Sequence, residues 1–114
     1  MELSIKNSNS NNQNSLNYYK TMTKELCYYK GWQKAKVEQV WLFFTEEVGE
    51  LAGSIRRGTH QFNDGKRTKI EDEMGDVFSY LFQLSYMMNI DLDHMWEKNQ
   101  IKAYAKNYIP HYTK

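Results

Sequence analysis

Two short stretches of this chain gather carboxylates at spacings that can do chemistry. In Glu46-Glu47-Val48-Gly49-Glu50, Glu47 and Glu50 are three residues apart and Glu46 is four from Glu50, so on a helix all three can share one side. In Glu73-Met74-Gly75-Asp76 the same three-residue step separates Glu73 from Asp76, with Glu71 and Asp72 just upstream. Like charges at this spacing repel by roughly 0.2–0.5 kcal/mol per exposed pair, and by much more where two such pairs face each other away from water. Four carboxylates on neighbouring helices, Glu47, Glu50, Glu73 and Asp76, form a hard-oxygen cage suited to magnesium, with manganese as the alternative. Taken singly, each motif also reads as a solvated acidic face.

Each motif holds a glycine directly before its last acid, Gly49 before Glu50 and Gly75 before Asp76. A mid-helix glycine costs about 1 kcal/mol relative to alanine. Two at matching positions predict close approach of the facing backbone or of a ligand, and that pairing favours a site over two incidental surfaces.

Helices must carry these groups. Val37, Val40, Trp41, Phe44, Val48, Leu51, Ala52 and Ile55 follow the 3.6-residue period around the first motif, with Arg56 and Arg57 placed for the C-terminal dipole and Gly58 for a left-handed cap. Residues 58–66 are rich in loop formers, and a helix over about 66–89 follows, its apolar stripe formed by Ile70, Met74, Val77, Phe78, Leu81, Phe82, Ser85 and Met88. These two should form an antiparallel hairpin. Before them, Tyr18, Met22, Leu26 and Tyr29 predict a helix over about 18–30 that Gly31 ends; after them, Asn89 to Asp91 turn the chain into a helix over about 92–107 carrying Leu92, Met95, Trp96, Ile101 and Tyr104. No stretch alternates like a strand, so the fold class is all-α. Residues 1–17 are mostly Asn, Ser and Gln and read as a flexible arm, or as a strap that orders on a neighbouring subunit through Leu3, Ile5 and Leu16; residues 18–114 read as one helical domain.

A chain of 114 residues suits one domain, and a small bundle leaves apolar faces that a second copy would cover. The 15 basic and 14 acidic side chains balance to +1, which offers no global field for nucleic acid or an anionic membrane. No apolar run reaches the length of about 18 residues that a bilayer demands, and no apolar leader follows a basic start. With the single Cys27 unable to form an intrachain disulfide, this predicts a cytoplasmic protein, with Cys27 a packed small hydrophobe. The three histidines are scattered outside the Glu-x-x-His spacing of a di-iron bundle, and Asp91-x-x-His94 is a weak metal pair that also reads as a helix cap. There is no Walker loop, dinucleotide fingerprint or Gly-x-Ser-x-Gly elbow.

EEVGELAGSI followed by EDEMGDVFSYLFQL resembles the EExxE…ExxD signature of the MazG-like nucleotide pyrophosphohydrolases, the all-α NTP pyrophosphatase superfamily that includes the small dCTP pyrophosphatases, over roughly residues 30–105. The resemblance implies a four-helix bundle completed by oligomerisation, a tetramer built from two dimers or a dimer. It implies magnesium held by Glu47, Glu50, Glu73 and Asp76, with Glu46 placed to hold or deprotonate the attacking water, and hydrolysis of a nucleoside triphosphate to monophosphate and pyrophosphate.

By the same resemblance, Trp32 and Tyr80 correspond approximately to aromatic residues that hold the base in the dCTP-cleaving branch, which favours a deoxynucleotide such as dCTP; the role expected of such an enzyme is nucleotide-pool housecleaning. Tyr80 lies four residues beyond Asp76, on the acidic face; Trp32 also reads as a core or interface anchor. For the phosphates, the nearest match to the family's basic residue is Lys98 with Lys102, followed by Lys106-Asn107 out of the usual register, with Lys66, Arg67, Lys69, Arg56 and Arg57 as alternatives. Two other readings stay open: a non-catalytic protein that binds nucleotide and metal, and a helical interaction module.

Overall fold

A computed structural model describes residues 14–57 and 65–105. They form four helices, α1 (Leu16–Tyr29), α2 (Val37–Arg56), α3 (Gly65–Met87) and α4 (Leu92–Ala105), with no strand among the described residues. Leu3, Ile5 and Gly58, to which the sequence assigned a strap and a cap, lie outside them. No helix of the described residues is long and apolar enough to cross a membrane.

Local chemistry sets the helix ends. Ser15 caps α1, its hydroxyl accepting from the Tyr18 N–H at 3.0 Å, so the helix takes in Leu16 and Asn17, the last two residues of the expected arm. At its other end Gly31 takes φ +77°, the Gly31 N–H donates to the Tyr28 carbonyl and the Trp32 N–H reaches back to the Cys27 carbonyl at 2.8 Å. This is a Schellman closure, and it fixes where Trp32 stands. α3 ends the same way with Asn89 at φ 58° and the Ile90 N–H on the Ser85 carbonyl at 2.9 Å. Asparagine is among the few residues besides glycine that enter the left-handed region readily.

The N-termini of α1 and α4 cap each other. The Leu16 N–H donates to Asp93 Oδ1 at 2.9 Å, the Leu92 N–H donates to Asn17 Oδ1 at 2.8 Å, and Asn17 Nδ2 donates to Asp91 Oδ1 at 2.9 Å. Asp91 Oδ1 also accepts from the His94 N–H at 3.0 Å, and the Lys20 ammonium donates to the Ile90 carbonyl. The weak Asp91–His94 pair is therefore a helix cap.

α3 is the central element, packed on α2 along one side and on α1 along another, while α4 sits on α1. α2 and α3 are antiparallel: Phe43 meets Tyr80 with ring centroids 5.9 Å apart, and four residues further along α2 Glu47 feels the charge of Asp76, four residues back along α3. Continuing that register sets Glu50 opposite Glu73.

Among the described residues the buried apolar set is small, Cys27, Val40, Ile70, Leu84 and Leu92. This corrects the expected stripes. On α2, Trp41, Val48 and Ile55 are exposed; on α3, Met74, Phe78 and Leu81 are exposed, as is Met88 just beyond its end; on α4, Met95, Trp96, Ile101 and Tyr104 are exposed. Periodicity located these helices, but α3, packed on both α2 and α1, buries Gln83, Leu84 and Ser85 around its circumference, so much of the apolar stripe remains on the surface of one chain.

Candidate functional site

The antiparallel register brings the two acidic motifs together. Glu47 is half-buried, and Glu46, Glu50 and Asp76 are exposed around it. Partial burial, then the charges of Glu50 and Asp76, a hydrogen bond shared with Glu50 and the charge of Glu46 all push the Glu47 carboxyl above its ordinary value. Glu73, half-buried, holds its Oε1 away from solvent with no hydrogen-bond partner. An unpaired carboxylate oxygen in such a place is costly and calls for an explanation. As these side chains stand, no three acidic, histidine or cysteine groups among the described residues converge closely enough to hold an ion; mutual repulsion favours splayed carboxylates. The donor set nevertheless fits a hard divalent cation, because it is all oxygen, is drawn from two helices, and includes one buried oxygen with no partner.

The matched glycines do not mark a helix contact. A Cβ built on Gly49 or on Gly75 would meet nothing within 4 Å. Both positions face outward from this chain, so the expected close approach of the facing backbone is absent.

Beside the acids opens a pocket of about 500 Å³. Along α2 its wall descends from Glu47 through Phe43 to Val40, and along α3 from Asp76 through Tyr80 to Gln83; Leu26 and Cys27 of α1 and Trp32 close it. Its mouth is acidic, its middle aromatic and its floor mostly apolar. Tyr80 is half-buried, and burial followed by the charges of Glu47, Asp76 and Glu46 raises its phenol, which keeps the hydroxyl protonated as a donor. Trp32 is half exposed and lines the same pocket, carried there by the Schellman closure of α1.

Cys27 is 2% exposed, its thiol raised by burial and hydrogen-bonded to Tyr86, whose own phenol burial and that thiol push up to about 12. It is a packed, protonated group, as expected.

Lys98 and Lys102 are exposed on α4, away from the α2–α3 pair, and do not line the pocket. Among the alternatives, Arg57 folds back along α2, its Nη2 donating to Ser54 Oγ at 3.3 Å, and Arg56 and Lys69 are exposed. Gln83 is a site residue that sequence reasoning passed over. Its signal was a polar residue one turn beyond Tyr80 on the face that carries Asp76.

The molecule is thus an all-α domain whose central helix pair heads a mixed pocket with two facing acidic motifs. The model of the MazG nucleotide pyrophosphohydrolase domain matches residues 36–106, well over half of the chain, and the chain belongs to that family. No curated protein and no solved structure gives a significant match. Membership supports nucleotide pyrophosphohydrolase activity in general, in a family that generally depends on divalent metal.

Proposed function

We propose that this protein hydrolyses nucleoside triphosphates, deoxynucleotides such as dCTP first among them, to the monophosphate and pyrophosphate in magnesium-dependent nucleotide housecleaning. The observation that carries this reading is the facing register of the two acidic motifs, with one carboxyl raised by its neighbours and one buried carboxylate oxygen unpartnered, at the mouth of a pocket lined by aromatic rings. Glu47, Glu50, Glu73 and Asp76 would hold the metal. When bound, magnesium neutralises the triphosphate and lowers the pKa of water. Glu46, exposed beside Glu47, would orient the attacking water and take its proton. Tyr80 and Trp32 would hold the sugar and base, the phenol donating and the indole stacking. The phosphate-binding cation is unassigned, since Lys98 and Lys102 stand apart from the pocket of their own chain.

A second copy would cover the apolar surface of α2 and α3, where Leu42 is 62% and Phe78 51% exposed. That surface supports a dimer, or a tetramer of two dimers, as the assembled form.

The test is pyrophosphate release from normal and modified nucleoside triphosphates with magnesium. Native protein should turn over, and Glu47→Gln and Asp76→Asn should each lose at least about a hundredfold, since even partners one shell removed from a metal cost 10- to 100-fold. No release from any nucleotide, with magnesium still raising the melting temperature, would replace the enzyme by a nucleotide- and metal-binding protein.

A further inference from the structure

Three polar residues are buried in the described core: Ser54, Gln83 and Ser85. Two have partners. Ser85 Oγ donates to the Leu81 carbonyl at 2.8 Å, and Ser54 Oγ accepts from Arg57. Gln83 is 6% exposed, and its carboxamide makes no hydrogen bond among the described residues. Gln83 lines the pocket, and no atom of its amide is both sealed from solvent and without a partner. A primary amide has two donors and an acceptor, and at a position this enclosed a ligand in the pocket can pair with them more fully than the little water that reaches them.

The position is also telling. Asp76, Tyr80 and Gln83 stand on one face of α3, and the seven-residue step from Asp76 to Gln83 spans about 10 Å of helix. That is comparable to the reach of a nucleotide from its 5′-phosphate to the far edge of its base. With phosphates at the acids and a base among Phe43, Tyr80 and Trp32, the edge of the base arrives at Gln83.

Resting on the nucleotide reading of the site, we propose that Gln83 is its specificity-determining residue, the carboxamide pairing donor and acceptor side by side with the hydrogen-bonding edge of the nucleobase. Each standard base offers a donor next to an acceptor on that edge, and an amide can turn to meet either order. A base of the same shape without those groups leaves the buried amide unpaired and is rejected.

The test is equilibrium binding of α,β-imido nucleotides with magnesium, which needs no turnover. It compares the tightest-binding natural base with its nonpolar isostere. Native protein should prefer the natural base by at least about tenfold, and Gln83→Met, close in shape, should bring the ratio near unity while the magnesium-induced rise in melting temperature persists. Should Gln83→Met fail to fold, the near-isosteric Gln83→Glu, which lacks the donor, should likewise weaken the natural base. Equal native binding of base and isostere, a preference that survives substitution, or no nucleotide binding at all overturns the proposal. If imido nucleotides bind with this preference but no natural triphosphate is cleaved, hydrolysis falls and the role of Gln83 stands; cleavage with the preference intact in Gln83→Met gives the reverse.

Discussion

Two carboxylate-rich regions of this small bundle are built from the same residue types and end in opposite states. At the junction of α1 and α4, Asp91 and Asp93 face amide donors: Asn17 Nδ2 and the His94 N–H serve Asp91, and the Leu16 N–H serves Asp93. The Asp91 carboxyl is held below its ordinary value by the Asn17 side chain first, then by the His94 N–H and the nearby charges of His94 and Lys20. At the junction of α2 and α3, carboxylates face carboxylates, Glu47 is raised, and Glu73 keeps a buried oxygen with no partner. Where acids find their donors inside the chain they hold helices together. Where they do not, the unmet charge is what the proposed cation would answer.

Substitution at either junction separates these roles, and the largest effect lies at the unsatisfied one. Glu47→Gln or Asp76→Asn should cost at least about a hundredfold in turnover, about 2.7 kcal/mol of transition-state stabilisation, without lowering the melting temperature of metal-free protein, because each removes a like-charge repulsion. A variant that loses activity and stability together would make the acids of α2 and α3 structural.

Magnesium should act on one junction and leave the other alone. At a concentration one hundred times its dissociation constant it should stabilise native protein by about 2.7 kcal/mol, which thermal unfolding reads directly. Glu47→Gln and Asp76→Asn should abolish most of that gain, while Asn17→Ala should retain it in full.

Asn17→Ala is the complementary cut. It removes the cap on the Leu92 N–H and a donor to Asp91, and loss of a cap of this kind costs about 1 kcal/mol. For a domain of this size that lowers the melting temperature by roughly 4–8 °C, with pyrophosphate release unchanged at a temperature where both proteins are folded. A loss of activity matching the loss at Asp76 would remove the distinction between the junctions.

The two regions were also unequally legible from the sequence. The acidic site was readable because its logic is local: a three-residue step on a helix puts Glu47 with Glu50 and Glu73 with Asp76 whatever else the chain does, and the matching of the two motifs implied that they meet. The capping junction joins residues about 75 positions apart, such as Asn17 and Leu92, and nothing local in an Asn-rich stretch tells a cap from an arm. Gly49 and Gly75 were read for close approach of the facing backbone or of a ligand, and the backbone contact is absent, because spacing gives the face of a helix without saying what lies across from it. Gln83 was passed over for a related reason: flanked by Phe82 and Leu84, it looks like an interruption of a stripe, and only the packing of α3 turns it into the pocket.

Acid titration of stability gives the smallest effect, and the two junctions should answer it with opposite signs. Asp91 binds protons more weakly folded than unfolded, so its stabilisation is complete above the ordinary carboxylate value and is lost as pH falls through its lowered one. Glu47 binds protons more tightly folded than unfolded, so its contribution is fully present below the ordinary value and is lost as pH rises through the raised one. Chemical denaturation in chelator between about pH 3 and pH 7, a range that brackets ordinary carboxylates, can separate them by variant. Asn17→Ala should flatten the loss on the acid side, and Glu47→Gln should remove the decline as pH rises towards neutrality. If Glu47→Gln instead leaves that decline untouched, the charges of Glu50, Asp76 and Glu46 are not what strains this corner of the fold, and the case for a cation between α2 and α3 loses its electrostatic half.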